Sequence, residues 1–302
     1  MRRSLPGIGP WIPAVVLVLA SCGGEVASPD VMDVTGVGFM TPESVLHDPV
    51  ADVYLVSNIN GSPVDRDDNG FISRVTPDGQ VEALKWIDGA SPDVTLNGPK
   101  GMAIRGDSLF VADIDCIRIF NRVTGEAAGS ECVDGATFLN DLAVGPENSI
   151  FVTDSGLQLD DQGNLVPSGT DGLYRYPFQE GKRGATLASG PDLGNPNGVA
   201  VGARGIFVVT FGSGEVVRFD AAGTKSHVLD APQLDGIEMM PDGGFLFSSW
   251  GDSSVFRVSG SGQVSKVVEG IPAPAGIGYD ATRNRVLIPE FNDDAVLIRP
   301  VG

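Results

Sequence analysis

Six times along the chain, a turn is followed by one polar or small residue, an apolar pair, a second turn and an apolar strand. In order the segments are "PESVLHDPVADVYLVSNI" from Pro42, "PKGMAIRGDSLFVADI" from Pro99, "LNDLAVGPENSIFVTDS" from Leu139, "PNGVAVGARGIFVVTF" from Pro196, "LDGIEMMPDGGFLFSSW" from Leu234 and "PAGIGYDATRNRVLIPEF" from Pro274. Their starts lie roughly 40 or 57 residues apart, which is the length of one four-stranded propeller blade, with insertions in the longer units. Several repeats are followed by a further strand and turn, as in "GEVVRFDAAG" and "SSVFRVSGSG", which suit the outer strands of a blade. The 41 Gly and 21 Pro agree with many short strands joined by tight turns, and 42% apolar residues are enough for a core. The expectation is an all-β, six-bladed β-propeller spanning residues 36–302.

In a propeller the innermost strand of each blade runs along the central channel, so equivalent positions of the repeats converge on one axis. The second position of each repeat carries Glu43, Lys100, Asn140, Asn197, Asp235 and Ala275. Four of the six are oxygen donors. Buried carboxylates without a partner are costly, so such a cluster needs a cation or a shared proton. Calcium (Ca2+), or another divalent cation, suits two carboxylates and two amide oxygens in irregular geometry. Zinc does not, because the chain has only His47 and His227 and they stand in unrelated contexts. Lys100 offers a second solution, an ammonium that pairs with Glu43 or Asp235 in a channel without metal.

The N-terminus reads as a targeting segment. Arg2 and Arg3 precede an apolar run from Trp11 to Ala20 that is too short to span a bilayer comfortably. Leu19-Ala20-Ser21-Cys22 resembles the bacterial lipobox, which implies a lipoprotein signal peptide over 1–21, lipidation of Cys22 and membrane anchoring of an exported, periplasmic or cell-surface protein; a plain signal peptide is the alternative. Residues 22–35 are then the lipidated cysteine and a polar, flexible tether. In an oxidising compartment Cys116 and Cys132, each eight residues from Thr124 in a hairpin-like stretch, are expected to form a cross-strand disulfide, with two free thiols as the alternative. A net charge of −19 and no basic patch exclude nucleic acid as a partner. A closed propeller leaves few strand edges, so the expected state is a monomer.

The constellation of "PES", "LND", "PNG" and "LDG" at successive blade starts resembles the regucalcin, gluconolactonase and luciferin-regenerating-enzyme family of six-bladed propellers, related to the paraoxonase and diisopropylfluorophosphatase propellers. The resemblance covers residues 36–302. It implies that Glu43, Asn140, Asn197 and Asp235 are metal ligands, and that the bound metal polarises a substrate carbonyl or phosphoryl oxygen. Asp235 is implied as general base or nucleophile, with Glu43 beside it as the second catalytic carboxylate. The implied chemistry is hydrolysis of a lactone or ester, with no need for a serine nucleophile; the chain has no Gly-x-Ser-x-Gly elbow. Lys100, Phe138 and Asp141 are expected to line the substrate pocket. Sugar-lactone members of the family place an arginine two residues before the first asparagine, where this chain has Phe138, so the expected substrate is a more apolar lactone or ester.

A propeller can equally be a non-catalytic platform that binds proteins or glycans through loops at the channel mouth, with a purely structural polar ring. "DRDDNG" at 65–70 begins like a calcium loop, but Thr76 stands where a bidentate glutamate is needed, which favours an Asp-rich hairpin loop. Asp113 and Asp154 are expected as structural caps at blade corners. Trp86, Trp250, Phe211 and Phe291 could line a pocket mouth or belong to the core, and His47 reads as a core histidine.

Overall fold

The computed structural model describes residue 1, residues 31–178 and residues 183–302. The expected signal peptide, the lipidation site Cys22 and most of the tether lie outside the described residues. The regular structure of the described residues is all strand apart from one 3-10 turn at Pro191–Leu193, and no helix among them is long and apolar enough to cross a membrane.

Six four-stranded antiparallel sheets follow one another. Blades one to five take residues 42–88, 99–132, 139–189, 196–230 and 234–269, and blade three carries an inserted hairpin, Leu157–Leu159 with Leu165–Pro167. The sixth blade is completed from the other end of the chain: Met32–Val34 pairs with Ala295–Pro300, Asp33 opposite Leu297. The propeller therefore begins at Met32 rather than 36, and the last residues assigned to a flexible tether are a strand. The physical reason is edge closure, since the outer edge of blade six would otherwise present unpaired backbone groups.

The core is divided among the blade interfaces. Between blades one and two, Leu55, Ile72 and Ile87 meet Leu109, Val111 and Phe120, all buried. Between blades four and five, Phe207 and Val209 meet Phe245 and Phe247. The alternating pattern of each strand puts one apolar face toward each neighbouring blade, so six clusters form, one per interface. Truncating one of these rings, Phe207→Ala for instance, is expected to cost roughly 3–5 kcal/mol. Polar links also cross the interfaces. Arg122 donates twice to Asp48 at 2.9 and 2.8 Å between blades two and one, and the Tyr54 hydroxyl donates to Asp280 at 2.8 Å between blades one and six.

Cys116 and Cys132 stand opposite each other in the outer hairpin of blade two and are joined as a disulfide. A bulge between Ile119 and Phe120 keeps that register across the turn.

Candidate metal centre

Each inner strand leaves its neighbour at the same place. In blades one to five the pairing with the second strand shifts just around the second residue of the repeat: Pro196 pairs with Thr210 and Val199 with Val208, and Leu234 pairs with Ser249 and Ile237 with Phe247. A bulge re-aims the side chain it contains and frees its backbone groups. In blades one, three and five a hydroxyl on the second strand fills the gap. Ser57, Thr153 and Ser248 accept from the amides of Ser44, Asp141 and Gly236. Thr153 and Ser248 then donate to the carbonyls of Asn197 and Ala275 in the next blade. The bulge thus turns Glu43, Asn140, Asn197 and Asp235 to the axis, and the hydroxyls fix adjacent inner strands against each other.

These four side chains, joined by Asp141, line one small cavity at the axis. All four are buried. The Asn140 amide donates through Nδ2 to Ser155 Oγ at 2.9 Å, which leaves its Oδ1 for the axis. Glu43 Oε2 and Asp235 Oδ1 are buried with no hydrogen-bond partner. Two orphaned carboxylate oxygens beside two amides are a donor set that fits a hard divalent cation such as calcium. Without that charge the carboxylates resist ionisation. Burial, then the charges of Asp235 and Asp141, hold the Glu43 carboxyl well above its usual range, against the opposing effect of Lys100. Burial and the Asp141 charge push Asp235 up to about 8, although Asn197 and Trp250 favour its charged form. Burial pushes Asp141 up to about 7, against hydrogen bonds donated by the Val199 and Leu142 amides.

Lys100 departs from both roles expected of it. Its ammonium is fully buried, donates to the carbonyls of Pro63 and Gly98 at 3.0 Å each, and lies 4.3 Å from the centre of the Phe138 ring. Two carbonyls and one aromatic face take up its three protons, so it neither points at a substrate nor closes an ion pair with Glu43 or Asp235. Burial lowers it to about 8. Its work is to clamp loop 59–70, the long insertion of blade one, onto blade two. Phe138 is likewise buried, as the far wall of that ammonium site rather than as a pocket surface.

Other candidates resolve as structure. Asp113 accepts from the amides of Asn97 and Gly98, and Asp154 from those of Thr137 and Phe138, so each caps the turn that leads into its own blade's ring residue. In the Asp65–Gly70 loop, Asp68 accepts from the Leu96 amide, Asp67 accepts from the side-chain amide of Asn69, and Arg66 pairs with Asp115 of blade two. His47 lies between Asp52 and Asp280, edge-on to Tyr54.

One residue escaped the sequence reading. Glu238, three positions beyond Asp235, faces a cavity of about 330 Å³ at the other end of the channel, lined mainly by apolar side chains such as Leu46, Met102, Leu142 and Ile237. Burial, with the Asp141 charge, pushes it up to about 8, yet it is half-buried rather than sealed because the cavity admits solvent. Its signal was available: the same position of the other repeats carries Leu46, Ala103, Ala143, Ala200 and Gly278.

No family model and no curated protein matches the sequence. Solved structures do match. A gluconolactonase from Xanthomonas campestris is 18% identical with a TM-score of 0.65, covering 91% of this chain and 91% of that one. A streptogramin B lyase is 11% identical with a TM-score of 0.61 over 89% of this chain and 97% of its own. A virginiamycin B lyase from Staphylococcus aureus is 13% identical with a TM-score of 0.60 over 89% and 98%. At these identities the shared property is the fold: the chain is a six-bladed β-propeller whose structural neighbours include a gluconolactonase and streptogramin-type lyases.

Proposed function

We propose that the protein is a divalent-metal-dependent hydrolase of lactones or related esters, with calcium as the metal held by Glu43, Asn140, Asn197 and Asp235. The observation that carries the reading is the small axial cavity, where these four side chains meet and two carboxylate oxygens lack a partner. The gluconolactonase among the structural neighbours supports a ring-opening hydrolysis on this fold. When bound, the cation would supply Lewis-acid polarisation of the substrate carbonyl. The chain's own part is to orient and to move a proton. Asn140, fixed by Ser155, and Asn197 hold neutral oxygens at the axis, so that only Glu43 and Asp235 bring charge. In this reading Asp235 takes the proton of the attacking water as the water oxygen bonds to the carbonyl carbon, and returns that proton to the leaving alkoxide as the ring or ester C–O bond breaks.

The test is a calcium titration of the purified protein followed by its unfolding temperature, with Asp235→Ala and Asn197→Ala in parallel. The expected result is stabilisation that both substitutions abolish, accompanied by lactone hydrolysis that needs the same metal. No response to calcium, magnesium or manganese overturns the reading and leaves a binding platform. We further propose, from Arg2, Arg3, the apolar run and the Leu-Ala-Ser-Cys stretch, that the protein is exported and anchored through a lipid on Cys22; incorporation of labelled palmitate that Cys22→Ser abolishes is the expected outcome.

A further inference from the structure

The residue that follows the second strand of each blade occupies one repeated place. In five of the six blades its amide donates to the carbonyl two residues before the ring position: Ile59 to Thr41, Ser155 to Phe138, Phe211 to Asn195, Trp250 to Gln233 and Phe291 to Ala273, with Ile114 holding the same place in the order of blade two. These residues therefore form a second ring, level with the start of the inner strands and just outside the candidate metal ligands. The ring is strongly lopsided. On blades one to three it carries Ile59, Ile114 and Ser155, all buried. On blades four to six it carries Phe211, Trp250 and Phe291, all half-buried.

Loop length explains part of the difference. Between second and third strands, blades one and three insert residues 59–70 and 155–171, whereas blades four, five and six turn within 211–214, 250–253 and 291–294. Short turns leave the three aromatic rings uncovered on one side. They touch in series, Phe211 edge-on to Trp250 at 5.4 Å and Trp250 to Phe291 at 5.3 Å between centres, so they form a continuous wall across three consecutive blades. The wall reaches the metal centre at Trp250. Its Nε1 is buried without a well-formed hydrogen bond, close enough to Asp235 that it favours the charged carboxylate. Trp86, by contrast, lies in the outer strand of blade one under the Arg74 guanidinium and takes no part.

We infer that Phe211, Trp250 and Phe291 select the substrate, and that they select one with a flat aromatic group beside the scissile carbonyl. The inference rests on the metal-dependent hydrolase reading and deepens it. Half-exposed rings that already contact one another, one pair edge-on and one tilted, present π faces and edges that complement another aromatic ring, a geometry worth about 0.5–1.5 kcal/mol beyond the area buried. The buried indole N–H, turned toward Asp235, ties the wall to the proposed base, beside which the carbonyl end of such a substrate would lie. A small hydrophilic lactone would meet neither feature, and the rings would stay wet.

The test uses two probes of equal bulk, a butyrolactone carrying a phenyl substituent and the same lactone carrying cyclohexyl. In saturating calcium the protein is expected to prefer the phenyl lactone by roughly three- to tenfold in kcat/KM, with the preference falling toward unity in Trp250→Leu and Phe291→Leu. Binding is read separately as quenching of the Trp250 emission, taken as the difference from Trp250→Phe, by each lactone. Equal rates and equal quenching with the two probes overturn the inference, as does a preference that survives both substitutions. Phenyl-selective quenching without any calcium-dependent hydrolysis would uphold the aromatic site while sinking the hydrolase, so the two failures remain distinguishable.

Discussion

The two ends of the channel are written by the same six strands and could hardly differ more. At one end bulges turn Glu43, Asn140, Asn197 and Asp235 inward around a cavity too small for anything beyond an ion or a water, and two carboxylate oxygens there lack partners. At the other end regular pairing resumes, the inward positions become apolar, and the channel widens to about 330 Å³ with Glu238 on its wall. The contrast shows that acidic residues in a channel are not equivalent. A carboxylate that shares its cavity with three other oxygen donors is arranged for a cation, whereas one facing an apolar, solvent-admitting cavity is merely hard to ionise.

The two ends are expected to diverge most under one and the same substitution. Glu43→Gln is expected to remove the stabilisation that calcium gives, about 2.7 kcal/mol at a hundredfold excess over Kd, while Glu238→Gln keeps it. Denaturant titrations with and without calcium measure both, and a loss in Glu238→Gln would mean that the two ends act as one site. Glycine substitutions sharpen the contrast in packing. A Cβ on Gly101 would stand 2.1 Å from Asp141 Oδ1 and 2.6 Å from its Cα, whereas one on Gly202 at the far end would meet chiefly the terminal methyl of Met239 at 2.7 Å. Gly101→Ala is therefore expected to destabilise by about 1–3 kcal/mol, and Gly202→Ala by less, because a methionine end can swing aside.

The smallest effect concerns pH. The Glu238 carboxyl lies higher in the folded protein than its ordinary 4.5, so the unfolded chain releases this proton first. Its contribution to stability is present below about pH 4.5 and is lost as pH rises toward 8. With a chelator present throughout, Glu238→Gln should lose less stability than the parent between pH 5 and pH 8. Identical slopes would show that solvent in the wide end already supports the charge.

Much of this was legible because it repeats. Six turn-and-strand segments announce six blades, and aligning them finds Glu43, Asn140, Asn197 and Asp235 without any coordinates. What did not repeat was harder to read. "MDV" at 32–34 is too short to show alternation, and only its pairing with Ala295–Pro300 makes it a strand. Lys100 was legible as a ring member, but its partners are the carbonyl of Gly98, the carbonyl of Pro63 in the blade-one insertion and the ring of Phe138. The hydroxyls of Ser57, Thr153 and Ser248 matter only because the strands bulge, and bulges leave no mark in composition. Glu238 needed only a comparison of the repeats carried three positions further along.

The closure of blade six also has a consequence in time. Met32–Val34 leaves the ribosome before any blade exists, yet its partner strand is made only after the other five blades. Chains grow and fold from the N-terminus onward, so five blades can assemble while this segment waits unpaired. The first strand of the propeller to be synthesised is thus the one installed last, and until it is in place blade six carries an open edge able to recruit the wrong strand.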